Sequence, residues 1–421
     1  IDSGTKFLEQ AKAVANQALE TAQPVIARVS NEAELLAAID SGQKGLIIAE
    51  GTITLSDNTS LFLKDGQSLV GAKYLDKNAA ETTINFKFDG IIDNGIEAGN
   101  CSIISDLNIN FITDNRSIFR NEQEEKSVIS IKSKQTVKLR NLHINTDTSA
   151  DDKRVGLFTI EATSSSVDIS GNINISIKGK YTRGIYADKQ SNMAINNAHI
   201  NNKSDDIQSY LLLSYGGSVI NINGNSEINL MGLETLLRLN NSGRINFNDD
   251  SILNVYGTGD ATSSIISING AVITFRDKSS LNVRNQGAGY AHCLMGNLIL
   301  ENQASAFFSG NGFINEGKIF INSASAKINI DTAILYRGTN NYISAVSGAS
   351  FSTSNGTYTA LTSINNLLIN DANLSAYFKL DNQHKTAIPP ETESMFADFD
   401  NHMSQNQKED ETEKTLSAGE Y

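Results

Sequence analysis

Residues 216–232 read GGSVININGNSEINLMG, and residues 242–257 read SGRINFNDDSILNVYG. In both, aliphatic or aromatic residues alternate with polar ones through two short runs, and a break containing Gly, Asn or Asp separates the runs. Alternation with a period of two puts the apolar side chains of each run on one face of a strand and the asparagines on the other. Helical periodicity is absent.

Read outward from these segments, the pattern is periodic. One set of strands is VISIKS (128–133), GLFTIEA (156–162), GIYADK (184–189), YLLLSYG (210–216), LLRLNNS (236–242), IISINGA (265–271) and HCLMGN (292–297), with starts 26 to 29 residues apart. A second set includes TVKL (136–139), SVDIS (166–170), VININ (219–223), RINF (244–247), VITF (272–275), LILE (298–301) and KIFIN (318–322). A third follows it, from LHIN and INISIK to KINI (327–330). Three short strands in each turn of roughly 27 residues predict an all-β solenoid, a parallel β-helix with one core column. Coils from about Leu46 to about Phe378 make about a dozen, a rod of roughly 60 Å.

The alternation names the inward residues: Val137 and Leu139, Val167 and Ile169, Ile220 and Ile222, Ile245 and Phe247, Ile273 and Phe275, Ile319 and Ile321. The chain holds 48 asparagines and 31 glycines but only three prolines. Asn and Gly tolerate the left-handed backbone that corners need, stacked Asn amides can hydrogen-bond from coil to coil, and central strands need every backbone N–H.

The ends differ from the body. In residues 5–29, Leu8, Ala11, Ala15, Ala18, Ala22 and Val25 form a helical stripe interrupted at Pro24, read as a cap over the end of the body rather than an oligomerising coiled coil. A second helix follows Asn31 as N-cap, with Glu34 at the capping-box position, and ends at Ser41-Gly42. After His384 the alternation is lost, and Pro389-Pro390 opens a stretch containing QKEDETEKT, which predicts a disordered acidic tail. The expected division is a helical cap over 1–44, the β-helix over 45–383 and the tail over 384–421.

Composition narrows the partners. Net charge is -13, of which Lys385 to Tyr421 contributes -6 from nine acids and three bases, leaving a body only mildly acidic. No Lys/Arg stripe is present to neutralise phosphates, so nucleic acid is not an expected partner. No apolar run approaches the roughly 18 to 20 residues that span a bilayer, so membrane insertion is not expected of this segment. Cys101 and Cys293 belong to no metal or disulfide pattern, and the five histidines share no ligand spacing. The Gly-rich GNGFINEG (310–317) lacks the Lys-Ser/Thr of a phosphate loop, and Gly287-Ala288-Gly289-Tyr290 reads as a corner.

Residues 34–71, with a short helix, Gly51-Thr52-Ile53 and a closing Leu69-Val70-Gly71, resemble the opening of pectate lyase-like chains. The coils at 216–232 and 242–257 look more like the passenger domains of autotransporters and related bacterial surface proteins. The resemblance, to the pectin lyase-like superfamily, covers most of the chain and implies a right-handed parallel β-helix. It does not fix activity, because the fold carries lyases, hydrolases, epimerases and adhesins alike.

Polygalacturonase-like enzymes combine N-T-D, D-D, G-H-G and R-x-K. This chain has Asn145-Thr146-Asp147, Asp151-Asp152, Asp205-Asp206 and Arg276-Asp277-Lys278, but no G-H-G and different spacing. Pectate lyases instead hold calcium between carboxylates while an arginine removes the C5 proton. Loops leaving the third strand set stack Asp151 and Asp152, then Lys180, Tyr181 and Arg183, then Asp205 and Asp206 on successive coils, each ~5 Å apart. A plain charge ladder gives the same order, because opposite charges on neighbouring coils stabilise one another. The ladder is the reading adopted, with Asp151, Asp152, Arg183, Asp205 and Asp206 as the catalytic set of the alternative and Tyr181 as its only aromatic neighbour.

The function expected from sequence is therefore that of a secreted or surface-exposed bacterial β-helix, an adhesin or binding stalk. It would bind a protein or glycan of a host or neighbouring cell, without cofactor or metal. The alternative is a polysaccharide lyase or glycoside hydrolase acting on an acidic polysaccharide, with calcium only in the lyase case. A second alternative is an exported effector, suggested by the acidic-aromatic segment Met395 to Asp400 and the acidic block EDETEK at 409–414 near the C-terminus.

Overall fold

A computed structural model describes residues 23–383 except 115–117, 120–124, 151–155, 180, 205–209, 234, 258–262, 286–291, 311–316, 333–340 and 354. The described chain is a parallel β-helix. Its second-set strands pair in strict register from coil to coil, giving one inward column that runs Ile47, Leu69, Ile104, Leu139, Ile169, Ile195, Ile222, Phe247, Phe275, Leu300, Ile321 and Ala345. All of these side chains are buried. The inward residues named from the alternation are buried without exception, and Ile220, Ile245, Ile273 and Ile319 stack in one column with Leu298 between the last two.

Three faces surround this core. The first-set strands form one face through the column Ile129, Ile160, Ile185, Leu212, Leu237, Ile265 and Leu294. The second and third faces are joined by a corner that the long strands Ser102–Thr113, Thr136–Asp147, Ser166–Lys178 and Asn192–Ser204 turn without breaking. Each turns at a left-handed residue: Asp106 (φ 58°), Asn141 (49°), Gly171 (70°) and Asn197 (46°). Later coils use Gly224, Asp249, Asp277 and Asn302 in the same conformation. Asp, Asn and Gly carry the least penalty there, which is why corners select them.

Asparagine does more than turn corners. On the outer side of the third face, amides donate in sequence from Asn201 to Asn174, Asn229 to Asn201, Asn254 to Asn229 and Asn282 to Asn254, at 2.8 to 3.0 Å. A parallel coil stack brings identical positions together, so each amide finds both a donor and an acceptor in its neighbours.

Both ends depart from the expected boundaries. Residues 1–22 of the helical stripe lie outside the described residues, but Val25–Val29 is a strand pairing in parallel with Gly45–Ala49, so the coil stack begins before the cap helix rather than at 45. Pro24 cannot continue a helix, and the β-branched residues after it favour the extended chain. The helix Glu32–Asp40 forms as read: Asn31 Oδ1 accepts from the Glu34 N–H at 3.0 Å, while the Glu34 carboxylate accepts from the Ser30 N–H at 2.8 Å, one residue before the cap.

At the other end the parallel order stops short of Phe378. Tyr342–Ala345 pairs antiparallel with Ile364–Leu368, Ser350–Thr353 with Gly356–Ala360, and Gly356–Ala360 with Phe378–Asp381. A short helix, Asp371–Tyr377, capped by Asn370, sits in this closure, where the sequence shows no helical period. Residues 384–421, expected as a tail, lie outside the described residues, as do 311–316 and 287–290.

Candidate functional site

Four of the five residues of the alternative catalytic set, Asp151, Asp152, Asp205 and Asp206, lie outside the described residues, as does Lys180. Arg183 is described, and its position differs from the loop ladder drawn from sequence. It is the first residue of the strand Arg183–Asp188 on the first face, directly beside Phe158 of the preceding coil. Its guanidinium lies over the Phe158 ring at 5.2 Å and the Tyr210 ring at 5.5 Å, and it pairs with Glu125 at 3.2 Å.

The same face carries an aromatic cluster. Ile185 and Ala187 point into the core, so Tyr186 between them points out, and in register with it are Glu161 on one side and Leu213, then Arg238, on the other. Tyr186 stacks on Phe158 at 4.2 Å, meets Tyr215 edge-on at 5.4 Å, and donates its hydroxyl to Asp188 at 2.8 Å. Arg238 donates to the Tyr210 hydroxyl at 2.7 Å and lies over that ring at 4.9 Å. Phe158, Tyr186 and Leu213 thus form an apolar cluster separate from the core, roofed by Tyr210 and Tyr215. Tyr181 sits one residue before buried Thr182 with a left-handed backbone, φ 64°.

The expectation that Tyr181 is the only aromatic beside Arg183 is therefore overturned. Tyrosines at outward phase were present in GIYADK and YLLLSYG. A signal was available in Tyr186 and Leu213, apolar residues one period apart at polar-phase positions of strands whose other phase is already aliphatic. Inward alternation alone does not mark them.

The charges here balance. Arg183, Arg238 and Lys132 face Glu125, Glu161 and Asp188, and each acid is held: Glu161 accepts from Ser127 and Thr163 and lies 3.8 Å from Lys132. Burial pushes the Tyr186 hydroxyl far above its ordinary range, reinforced by the hydrogen bond to Asp188 and its charge. Burial raises Tyr215 as well, against the pull of Arg238 and Arg183. Both phenols remain protonated donors, so neither serves as a base near neutrality. Glu125, whose side chain is still 45% exposed, is raised by its partial burial, with Arg183 opposing and Glu161 adding to the rise.

Among the described residues, no group of three or more His, Cys, Asp or Glu side chains comes together as a metal site. His143 lies on the third face, His199 is 3.7 Å from Glu227, and His384 and His402 lie outside the described residues. No described helix is long and apolar enough to cross a membrane.

No protein-family model and no curated protein matches the chain. Among solved structures it is similar to the mannuronan C-5 epimerase A-module of Azotobacter vinelandii, with 12% identity over 76% of this chain and 94% of that one and a TM-score of 0.31. A superposition this loose says nothing about residues or activity.

Proposed function

We propose that this protein is a binding β-helix, displayed outside the cell as an adhesin or stalk, that engages a surface glycan through its first face. The observation that carries the reading is the partly exposed pair Tyr210 and Tyr215 with Arg183 and Arg238, on consecutive coils and backed by the buried Tyr186 and Phe158. Sugar rings need apolar faces with a few fixed polar groups, and this cluster supplies both in a frame held by stacking and hydrogen bonds before any ligand arrives. The balanced charge favours a neutral or sparsely charged glycan over a polyanion. A glycan array probed with the purified chain tests it. Binding that is lost in a Tyr210→Ala, Arg183→Ala double variant supports the reading, and an array with no binding, or binding indifferent to that variant, overturns it.

A second reading is a polysaccharide lyase or glycoside hydrolase at the same face. It is favoured by one feature, the raised Glu125 carboxyl 3.2 Å from Arg183, an acid and a cation of the kind that handle a sugar proton. Release of unsaturated or reducing ends from pectate or alginate, abolished by Glu125→Gln, would promote it over binding. The expected result is no turnover.

A further inference from the structure

On the opposite arm of the molecule the outer side of the third face is hollowed into a groove of about 590 Å³. One wall is the excursion between the strands Gln67–Gly71 and Thr83–Phe88, and it is held firmly. Thr82 Oγ1 accepts from the Ala72 N–H at 3.0 Å and donates to the Ala49 carbonyl at 2.9 Å, closing the excursion at its base. Gly71 packs so close to the next coil that a Cβ there would lie 1.8 Å from the Asp106 carbonyl oxygen.

Two rows of outward side chains form the floor. In one, Asn145 donates to Asn110 and Asn110 to Asn85, which leaves the buried Asn145 Oδ1 without a partner among the described residues. The other row is Thr83, Asn108 and His143, in direct register on three consecutive coils and half-buried. Among the described residues none of these three side chains has a hydrogen-bond partner, although every one can both donate and accept. The wall charges cancel: Lys73 is paired with Glu81, and Lys77 lies 3.8 Å from Asp106.

We propose that this groove is a second ligand site, distinct from the first face, and that it takes a neutral saccharide. A hydroxyl, an amide and an imidazole at one-coil intervals of ~4.8 Å offer alternating donors and acceptors, the complement of sugar hydroxyls. The volume falls within the range of roughly 300 to 1,000 Å³ typical of small-ligand sites. A carboxylated sugar gains no net attraction from the cancelled wall charges and meets Glu81 and Asp106.

Calorimetric titration of the full chain with cellohexaose, mannohexaose and maltohexaose, and with hexagalacturonate as the charged probe, tests the proposal. At least one neutral hexasaccharide binds at millimolar concentration or below, and Asn108→Ala and His143→Ala each weaken it roughly three- to tenfold, with the melting temperature unchanged. Arg183→Ala, on the other face, locates the site: loss of affinity in that variant with none in the groove variants overturns the groove and leaves the first-face reading standing. Absence of binding by all three neutral probes, or hexagalacturonate binding tenfold more tightly, overturns it as well. On the glycan array, binding lost in Asn108→Ala and His143→Ala but kept in the Tyr210→Ala, Arg183→Ala variant belongs to the groove, and binding lost only in the latter belongs to the first face.

Discussion

Asn202 occupies an inward column between the aliphatic Ile175 and Leu230, and is fully buried. Its Nδ2 donates to the Leu211 carbonyl at 2.8 Å, while its Oδ1 has no partner. That carbonyl also accepts from the Ile185 N–H, so removing the amide orphans nothing essential. Asn202→Leu is therefore expected to stabilise the fold by about 1 kcal/mol in urea unfolding, since a buried unpaired oxygen is removed; a loss of stability would show that the amide has a role the packing does not reveal. Glu125 gives a prediction in pH. Its folded-state value lies above its unfolded one, so its contribution is full below the ordinary value of 4.5 and is lost as pH rises through the raised value. Glu125→Gln cannot titrate, so its unfolding midpoint should gain on that of the native chain as pH rises from below 4.5 to neutrality; a difference constant with pH would contradict the assignment. At this scale little of the site was legible beforehand. Arg183 stands out in the sequence only as a basic residue between acidic loops, and its partners Phe158, Tyr210 and Glu125 come from other coils. Register alone brings them together, and register depends on loop lengths that alternation does not encode.

The elements were far more legible, because a strand with one wet face writes its own period. Ile245 was assigned inward from four residues, RINF, and lies fully buried between Ile220 and Ile273. Ile245→Asp should cost several kcal/mol, with a large fall in melting temperature, because the carboxylate would sit unpaired among aliphatic neighbours. The amide row on the third face is expected to matter almost as much. Asn254→Ala removes the acceptor of Asn282 and the donor to Asn229, both on buried residues, at about 2–4 kcal/mol; a loss under ~0.5 kcal/mol would mean the row is incidental to stability. The short helix Asp371–Tyr377 was invisible for a different reason. Seven residues span two turns, too few for a periodic signal, and only the Asn370 cap, accepting from the Asn373 N–H at 2.9 Å, marks it.

Taken as a whole molecule, a stack of parallel coils has two exposed ends, each a template for unwanted pairing. At the C-terminal end the antiparallel strands Gly356–Ala360, Ile364–Leu368 and Phe378–Asp381 cover it. A chain ending at Thr353 should therefore self-associate in light scattering at concentrations where the full chain does not; monomeric behaviour of the truncated chain would show that the closure has another purpose. The amide rows and the inward columns share one property, that every contact joins the same position of adjacent coils. Rod length is consequently a free variable of this architecture. Tandem duplication of residues 219–243 would set a second Ile220 beneath Ile245 and extend the rod by about 4.8 Å, displacing the two ends without disturbing a single local contact type. A lineage could lengthen such a rod by copying one coil at a time, and so tune how far apart its two ends stand.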